Sequence, residues 1–178
     1  MKRIIFLRHG KTEWNMQSRY QGKTDVPLSD EGRLQARRVA LRLKSLGIDA
    51  IYASSLARAS ETAAIVSKLI KVPIKGLLKE LQEMDFGAWE GMVVTDVERT
   101  YRDAYRWWRQ SPEEAKIPGG EDFVEVVERV TGGMQKVLKE AGENILVVAH
   151  GGSIRAALVG LLALDASAVW RIRIDNCS

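Results

Sequence analysis

A chain of 178 residues, 46% hydrophobic and 28% charged, is long enough to bury a core and too apolar for a disordered polyelectrolyte. Its formal charge of +4 is spread over interspersed Lys, Arg, Asp and Glu, so no basic stripe invites nucleic acid, while a few arginines could serve a small anion. One cysteine, Cys177, suits a reducing compartment, and no stretch approaches the ~20 apolar residues of a membrane span. The expectation is a cytoplasmic protein with no membrane partner.

Ile4-Ile5-Phe6-Leu7 reads as a strand buried on both faces, the pattern of a central strand in a parallel sheet. It delivers Arg8 and His9 at its end, where open α/β sheets bind ligands. Residues 11–27, with Asn15, Gly22, Asp25 and Pro27, form a loop with room for one helical turn. Ser29 caps a helix through Ala36, Val39, Ala40, Leu43 and Leu46, and Gly47 stops it. Residues 50–53 make a second strand. Ser54 or Ser55 caps the next helix, whose apolar face is Leu56, Ala59, Ala63, Val66 and Leu69; Pro73 introduces a weaker strand over 73–78. Strand and helix alternate, which predicts parallel pairing.

Residues 80–120 break that rhythm with Trp89, Trp107, Trp108, several glycines and prolines, and a helical spacing from Val94 to Trp108. They read as an insertion over the sheet, because about 40 residues do not easily hold a core alone. A long helix follows through Phe123, Val126, Val130, Met134 and Val137, closed by Gly142. Then come a buried strand ending at Ala149, a helix through Ile154, Ala157 and Leu161, and an alternating run from Val169 to Ile174 that reads as a last strand.

The chain has two histidines, and their settings match: each ends an apolar run and precedes glycine. If their strands lie side by side, His9 and His150 share one site. A metal centre needs three or four ligands at recognisable spacing, and none accompany the pair, so no metal is expected. Arg8 adjoins His9, and a charge directly after a buried strand needs a partner. Arg58 opens the helix after Ser54-Ser55, and Arg155, a turn after His150, reads as a surface ion pair. Both helix N-termini offer backbone N–H groups to an anion, and guanidinium forks match phosphate oxygens. A neutral imidazole can attack phosphorus while guanidiniums disfavour its protonation and steady the oxygens in transfer. The leaving alcohol needs an acid. Glu80, Glu83, Asp85 and Glu90 are candidates, and one buried among aromatics would have a raised pKa; spacing does not choose among them.

Leu7-Arg8-His9-Gly10 with Thr12-x-Trp14-Asn15 resembles the signature of the histidine phosphatase superfamily, the phosphoglycerate mutase-like phosphatases. The likeness continues through Gln21-Gly22, Asp25-x-Pro27-Leu28-Ser29, Ser54-Ser55-x-x-Arg58-Ala59, Glu83-x-x-Phe86-Gly87-x-Trp89-Glu90-Gly91, Pro118-Gly119-Gly120-Glu121 and Ala149-His150-Gly151-Gly152. It implies a three-layer αβα sandwich with a mainly parallel sheet, spanning residues 1–178 as one domain, with a helical lid at about 80–120. It further implies that His9 is the phosphorylated nucleophile, that Arg8, Arg58 and His150 clamp the phosphoryl group, and that Glu83 is the proton donor and later the base for water. Asn15, Gln21, Gly22 and the Gly151 backbone would line the pocket. Members of the family usually continue past Ser178 into another strand and a tail, so a shortened end is expected. The modest insertion favours a phosphatase of small phosphorylated metabolites over a mutase. The look is nearest to the α-ribazole phosphatases of cobalamin assembly and their broad-specificity relatives. Arg19, Tyr20, Lys23, Trp107 and Arg109 are candidates for specificity. A non-catalytic phosphate-binding module is the alternative from another class, and a homodimer is left open.

Overall fold

A computed structural model describes residues 2–140 and 142–178. Four strands, β1 (Arg3–Arg8), β2 (Ala50–Ser54), β3 (Ile74–Leu78) and β4 (Asn144–Ala149), form a wholly parallel sheet in the order β1-β4-β2-β3. The helices are α1 (Glu13–Met16), α2 (Asp30–Leu43), α3 (Ala57–Ile70), α4 (Val94–Thr100), α5 (Arg102–Gln110), α6 (Phe123–Lys139) and α7 (Gly151–Leu162).

Alternation along each strand sorts side chains into two cores. Leu7, Ile51, Ala53, Leu146 and Val148 face α2 and α3, packing with Ala40, Leu43, Ala59, Ala63 and Val66. Ala50, Tyr52, Ile145 and Val147 face the opposite side, with Val126, Val130, Met134 and Ala157 of α6 and α7. Trp89, Trp108 and Phe86 of the 80–120 insertion belong to this second core. The insertion is therefore anchored by burying Trp89 and Trp108 against the sheet layer.

Several expectations hold: Ser29 Oγ accepts from Gly32 N at 3.1 Å, and Gly47 ends the following turn in the left-handed region. Others need correction. β1 is an edge strand, half-buried over most of its length, and β4 and β2 are central. A continuous apolar run reports that both faces are covered, not that both edges are paired. Beyond β1, the end of the chain takes the free edge, with Cys177 N donating to Arg8 O and Arg8 N to Ser178 O. The run from Val169 to Ile174 is no strand: residues Ala166–Arg171 form a 3₁₀ turn. Its alternation arises because Val169 is buried while Trp170 turns its indole N–H to Trp108 O at 2.9 Å. α6 stops at Lys139 with Glu140 extended, before Gly142.

Candidate active site

β1 and β4 are neighbours in parallel register, with Arg8 opposite Ala149. Both histidines therefore leave the sheet at one level, and His9 N donates to Ala149 O at 3.0 Å. The ring centroids lie 5.1 Å apart, so the matched sequence settings do mark one place.

His9 Nδ1 lies 2.7 Å from Gly10 O. A carbonyl only accepts, so Nδ1 carries the proton and Nε2 keeps its lone pair. Burial, and then the Arg58 and Arg8 guanidiniums, push His9 well below the ordinary imidazole range. The ring is neutral with a fixed tautomer, and such an imidazole can act as a nucleophile through Nε2. His150 is completely buried and is held neutral in the same way, by burial and Arg58. Its Nδ1 accepts from Arg58 Nε at 3.1 Å, and its Nε2 lies 2.8 Å from Ser54 Oγ. Both ring nitrogens are thus engaged, and His150 reaches an anion only by exchanging one of these bonds.

Arg58 has no solvent exposure, and burial lowers its pKa to about 10, so it stays charged at neutral pH. Its Nη1 and Nη2 donate to Thr24 O (3.1 Å) and Gly22 O (2.6 Å). With Nε on His150, three of the five donors of a guanidinium are used and two remain for a ligand. Arg8 donates Nη1 to Ile174 O at 2.8 Å, while its buried Nε meets no acceptor among the described residues. Gln21 accepts from Thr12 Oγ1, and its own buried Nε2 has no acceptor among the described residues. Buried donors without partners are costly unless a ligand takes them. Asn15, fixed by Thr12 at the start of α1, lines the same cleft.

Of the four acids, Glu83 is the one that lines the cleft. It is buried on the cleft wall, with Oε1 accepting from Ser153 N and Met84 N and Oε2 from Gly152 N, each at 2.9–3.0 Å. Gly152 is required for this approach, since a Cβ there would stand 2.4 Å from Glu83 Oε1. Its surroundings are the N-terminus of α7 and not an aromatic cage. Glu80 pairs with Lys136 at the surface, and Asp85 holds Gly87 N at 2.9 Å. Glu90 accepts from Lys23 N, Thr24 N, the Thr24 hydroxyl and Phe86 N. Burial alone would push its carboxyl up, but these donors outweigh it and hold it below the usual carboxylate range. Glu90 therefore braces the 22–24 loop whose carbonyls grip Arg58.

The expected helix N-termini are largely taken. Asp25 Oδ1 accepts from Ala57 N at the start of α3, and Glu83 occupies two N–H groups of α7. Among the described residues only Gly151 N–H, of the first three of α7, has no partner. Neither serine caps α3 by side chain: Ser54 serves His150, and Ser55 Oγ accepts from Gln82 at 2.8 Å. Arg155 is no surface ion pair either. It is half-buried and donates to Gly151 O, Val169 O and Ile172 O.

One residue escaped sequence reasoning. Asn176 Nδ2 donates to His9 O at 3.0 Å and to Asn15 Oδ1 at 3.2 Å, tying the chain end to the nucleophile turn. Only an expected strand order could have hinted at it. Among the specificity candidates, Arg19, Tyr20 and Arg109 line the cleft. Lys23 instead pairs with Glu121 at 3.4 Å, and Trp107 is exposed. Among the described residues no three His, Cys, Asp or Glu gather as a metal-binding group.

A family model described as histidine phosphatase superfamily (branch 1) matches residues 4–178. The chain is 35% identical to "Phosphoserine phosphatase 1" of Hydrogenobacter thermophilus over 181 aligned positions, covering 100% of this chain and 84% of the relative. It is 37% identical to a protein named "Probable phosphoglycerate mutase GpmB" of an Enterobacter species, covering 100% and 83%. The solved structure of the α-ribazole phosphatase from Shigella flexneri superposes with a TM-score of 0.84 at 29% identity, over 97% of this chain and 86% of that one.

Proposed function

Because the chain belongs to the histidine phosphatase superfamily, we propose that it is a phosphomonoesterase of small phosphorylated metabolites working through a phosphohistidine on His9. One observation carries this reading: a neutral imidazole stands among buried donors, Arg8 Nε and Gln21 Nε2, that have no acceptor among the described residues. A tetrahedral dianion supplies the acceptors these groups lack.

In the first step His9 Nε2 forms a bond to phosphorus as the ester P–O bond breaks, and Glu83 gives its proton to the leaving oxygen. In the second, the Glu83 carboxylate takes a proton from water, the water oxygen bonds to phosphorus, and the N–P bond breaks to free inorganic phosphate. Arg8 and the two spare donors of Arg58 stabilise the equatorial oxygens, with Gln21 and Gly151 N–H completing the cradle. His150 holds Arg58 and joins the clamp by exchanging a hydrogen bond. No step requires a metal or an organic cofactor. Gly22 contributes its carbonyl to Arg58, and a side chain there would collide with Glu90.

Mutase-type transfer is the second reading, favoured by the name of the Enterobacter relative. The α-ribazole phosphate reading, with a place in cobalamin assembly, draws its support from the Shigella neighbour. Cys177 is a free thiol with its pKa pushed up to about 12 by burial, in keeping with a cytoplasmic setting. No helix among the described residues is long and apolar enough to cross a membrane.

The test is release of phosphate from p-nitrophenyl phosphate in chelator. The wild type is expected to turn over, and His9→Ala to lose at least about 10³-fold in kcat/KM. Hydrolysis surviving in His9→Ala would remove the nucleophile assignment. A mutase would instead return the phosphoryl group to phosphoglycerate faster than to water.

A further inference from the structure

Glu83 hangs from backbone that no regular element holds. A 3₁₀ turn at Lys79–Leu81 precedes it, and residues 82–86 belong to neither helix nor strand. Carbonyls in such a stretch have no ladder to enter and need partners from elsewhere. One side chain of α6 supplies them. Arg129 donates Nη1 to Glu80 O (2.9 Å) and Gln82 O (3.0 Å), and its Nη2 lies 3.5 Å from Glu83 O. The helix itself presses close: a Cβ on Gly133, one turn further along α6, would stand 2.7 Å from Glu80 Cβ.

The guanidinium is aimed by Glu121. Arg129 Nε and Nη2 donate to its two carboxylate oxygens at 3.0 and 2.9 Å, a bidentate fork between half-buried partners. Glu121 also closes on the stretch from the other side, Oε2 accepting from Asp85 N (2.9 Å) and its own N–H donating to Asp85 O (3.0 Å). The pair thus holds backbone atoms of residues 80 and 82 before the acid and of residue 85 after it. Burial alone would push the Glu121 carboxyl up, yet Arg129 and the Asp85 N–H hold it below the usual carboxylate range, so the pair stays ionised. An ion pair kept only for stability needs no main-chain partners; Lys136, which meets the Glu80 carboxylate at the surface, is of that kind. Arg129 instead spends donors on the main chain that carries the acid.

We propose that Arg129, aimed by Glu121, is a positioning residue: it fixes the backbone of residues 80–85 so that the Glu83 carboxyl reaches the leaving oxygen. Arg129 does not line the cleft and touches no reacting atom. The proposal rests on the phosphatase reading, with Glu83 as acid, for its kinetic readout but not for its spectroscopic one.

The kinetic test compares glycerol 3-phosphate, a poor leaving group, with p-nitrophenyl phosphate. A misplacement of about 1 Å can cost about 10²-fold, so Arg129→Met is expected to lose about tenfold or more in kcat on glycerol 3-phosphate and about twofold or less on p-nitrophenyl phosphate, with KM little changed. Arg129→Lys keeps the charge without the planar fork and should recover only part. In a Glu83→Gln background Arg129→Met should cost about twofold or less further, since both act on one proton transfer. Equal losses on the two esters, or a full further loss in the Glu83→Gln background, overturn the proposal and leave Arg129 a stability brace. The second readout needs no turnover. Gly152 and Ser153 N–H both donate to Glu83, so their amide proton resonances report where its carboxylate sits. In Arg129→Met they are expected to move upfield, toward their positions in Glu83→Ala; resonances left unmoved overturn the proposal whether or not any ester is hydrolysed. If Arg129→Met does not fold, Glu121→Gln, which loosens the fork, is read in the same two ways. Failure of the wild type to release phosphate from p-nitrophenyl phosphate overturns the phosphatase reading instead.

Discussion

The two halves of the cleft are built on opposite plans. At the phosphoryl end nearly every polar atom is committed: His9 to Gly10, His150 to Ser54 and Arg58, Arg58 to Gly22 and Thr24, Glu83 to three backbone N–H groups. The groups left over there are donors aimed at one small anion. At the leaving-group end the wall is aromatic, with Trp108 packed edge-on against Trp170 (5.2 Å) and Phe86 (5.6 Å), and a single cation lies uncommitted across it. The first plan fixes one chemistry. The second leaves room for the substrate to vary, since aromatic surface is tolerant.

The sharpest way to break this contrast is at Glu83, which stands between the halves. Glu83→Gln keeps the size but has no carboxyl proton to give, and its amide NH2 faces one of the backbone N–H groups that the carboxylate accepts from. We expect a loss of about 10²-fold or more with poor leaving groups such as an alkyl alcohol, and a much smaller loss with p-nitrophenolate. Equal losses with both would show that Glu83 shapes the phosphoryl end without acting on the leaving oxygen.

The cost of holding two imidazoles neutral gives a second test, confined to the phosphoryl end. Both rings have folded pKa values depressed below the ordinary 6.5. Above that value neither the folded nor the unfolded chain binds the extra proton, and stability is unaffected. As pH falls below it, the unfolded chain takes up protons that the folded one refuses. Stability is therefore lost toward acid, with a slope of up to about 1.4 kcal/mol per pH unit for each ring. Urea midpoints between pH 7.5 and 5.5 should fall accordingly, and His9→Gln should flatten the slope. A slope indifferent to that substitution would mean His9 is not desolvated as described.

A smaller effect is expected at the chain end. Asn176→Ala removes the donor to His9 O and Asn15 Oδ1 without touching the cleft wall. If the residue positions the nucleophile turn, kcat should fall about tenfold with KM little changed, and Asn176→Asp should not restore it, since a carboxylate cannot donate to a carbonyl. A change in thermal stability alone would make it a structural tie.

How much of this was legible in the sequence follows the same division. His9 and His150 directly follow β1 and β4, so the two apolar runs ending in His-Gly sufficed to bring them together. Spacing narrowed the acid to four and the family resemblance pointed to Glu83, but its setting against the N-terminus of α7, which lies far along the chain, was not legible. Ser54 and Arg155 were misjudged because their partners, His150 and the carbonyls of 169 and 172, are tertiary. The edge position of β1 was hidden because face burial and edge pairing leave different marks, and only the first is written in hydrophobicity. The leaving-group wall was the least legible. Arg109 could be flagged as a candidate, but its stacking on Trp170 depends on a 3₁₀ turn whose alternation imitates a strand.

The central claim is that His9 Nε2 becomes covalently phosphorylated. The direct measurement is rapid acid-free quench of the wild type with a phosphomonoester, followed by peptide mass spectrometry and phosphorus NMR. The account predicts one acid-labile, alkali-stable phosphoramidate on the peptide bearing His9, formed before steady state and absent from His9→Ala. Phosphate on another residue, or steady turnover with no phosphorylated His9 at any time, would contradict it.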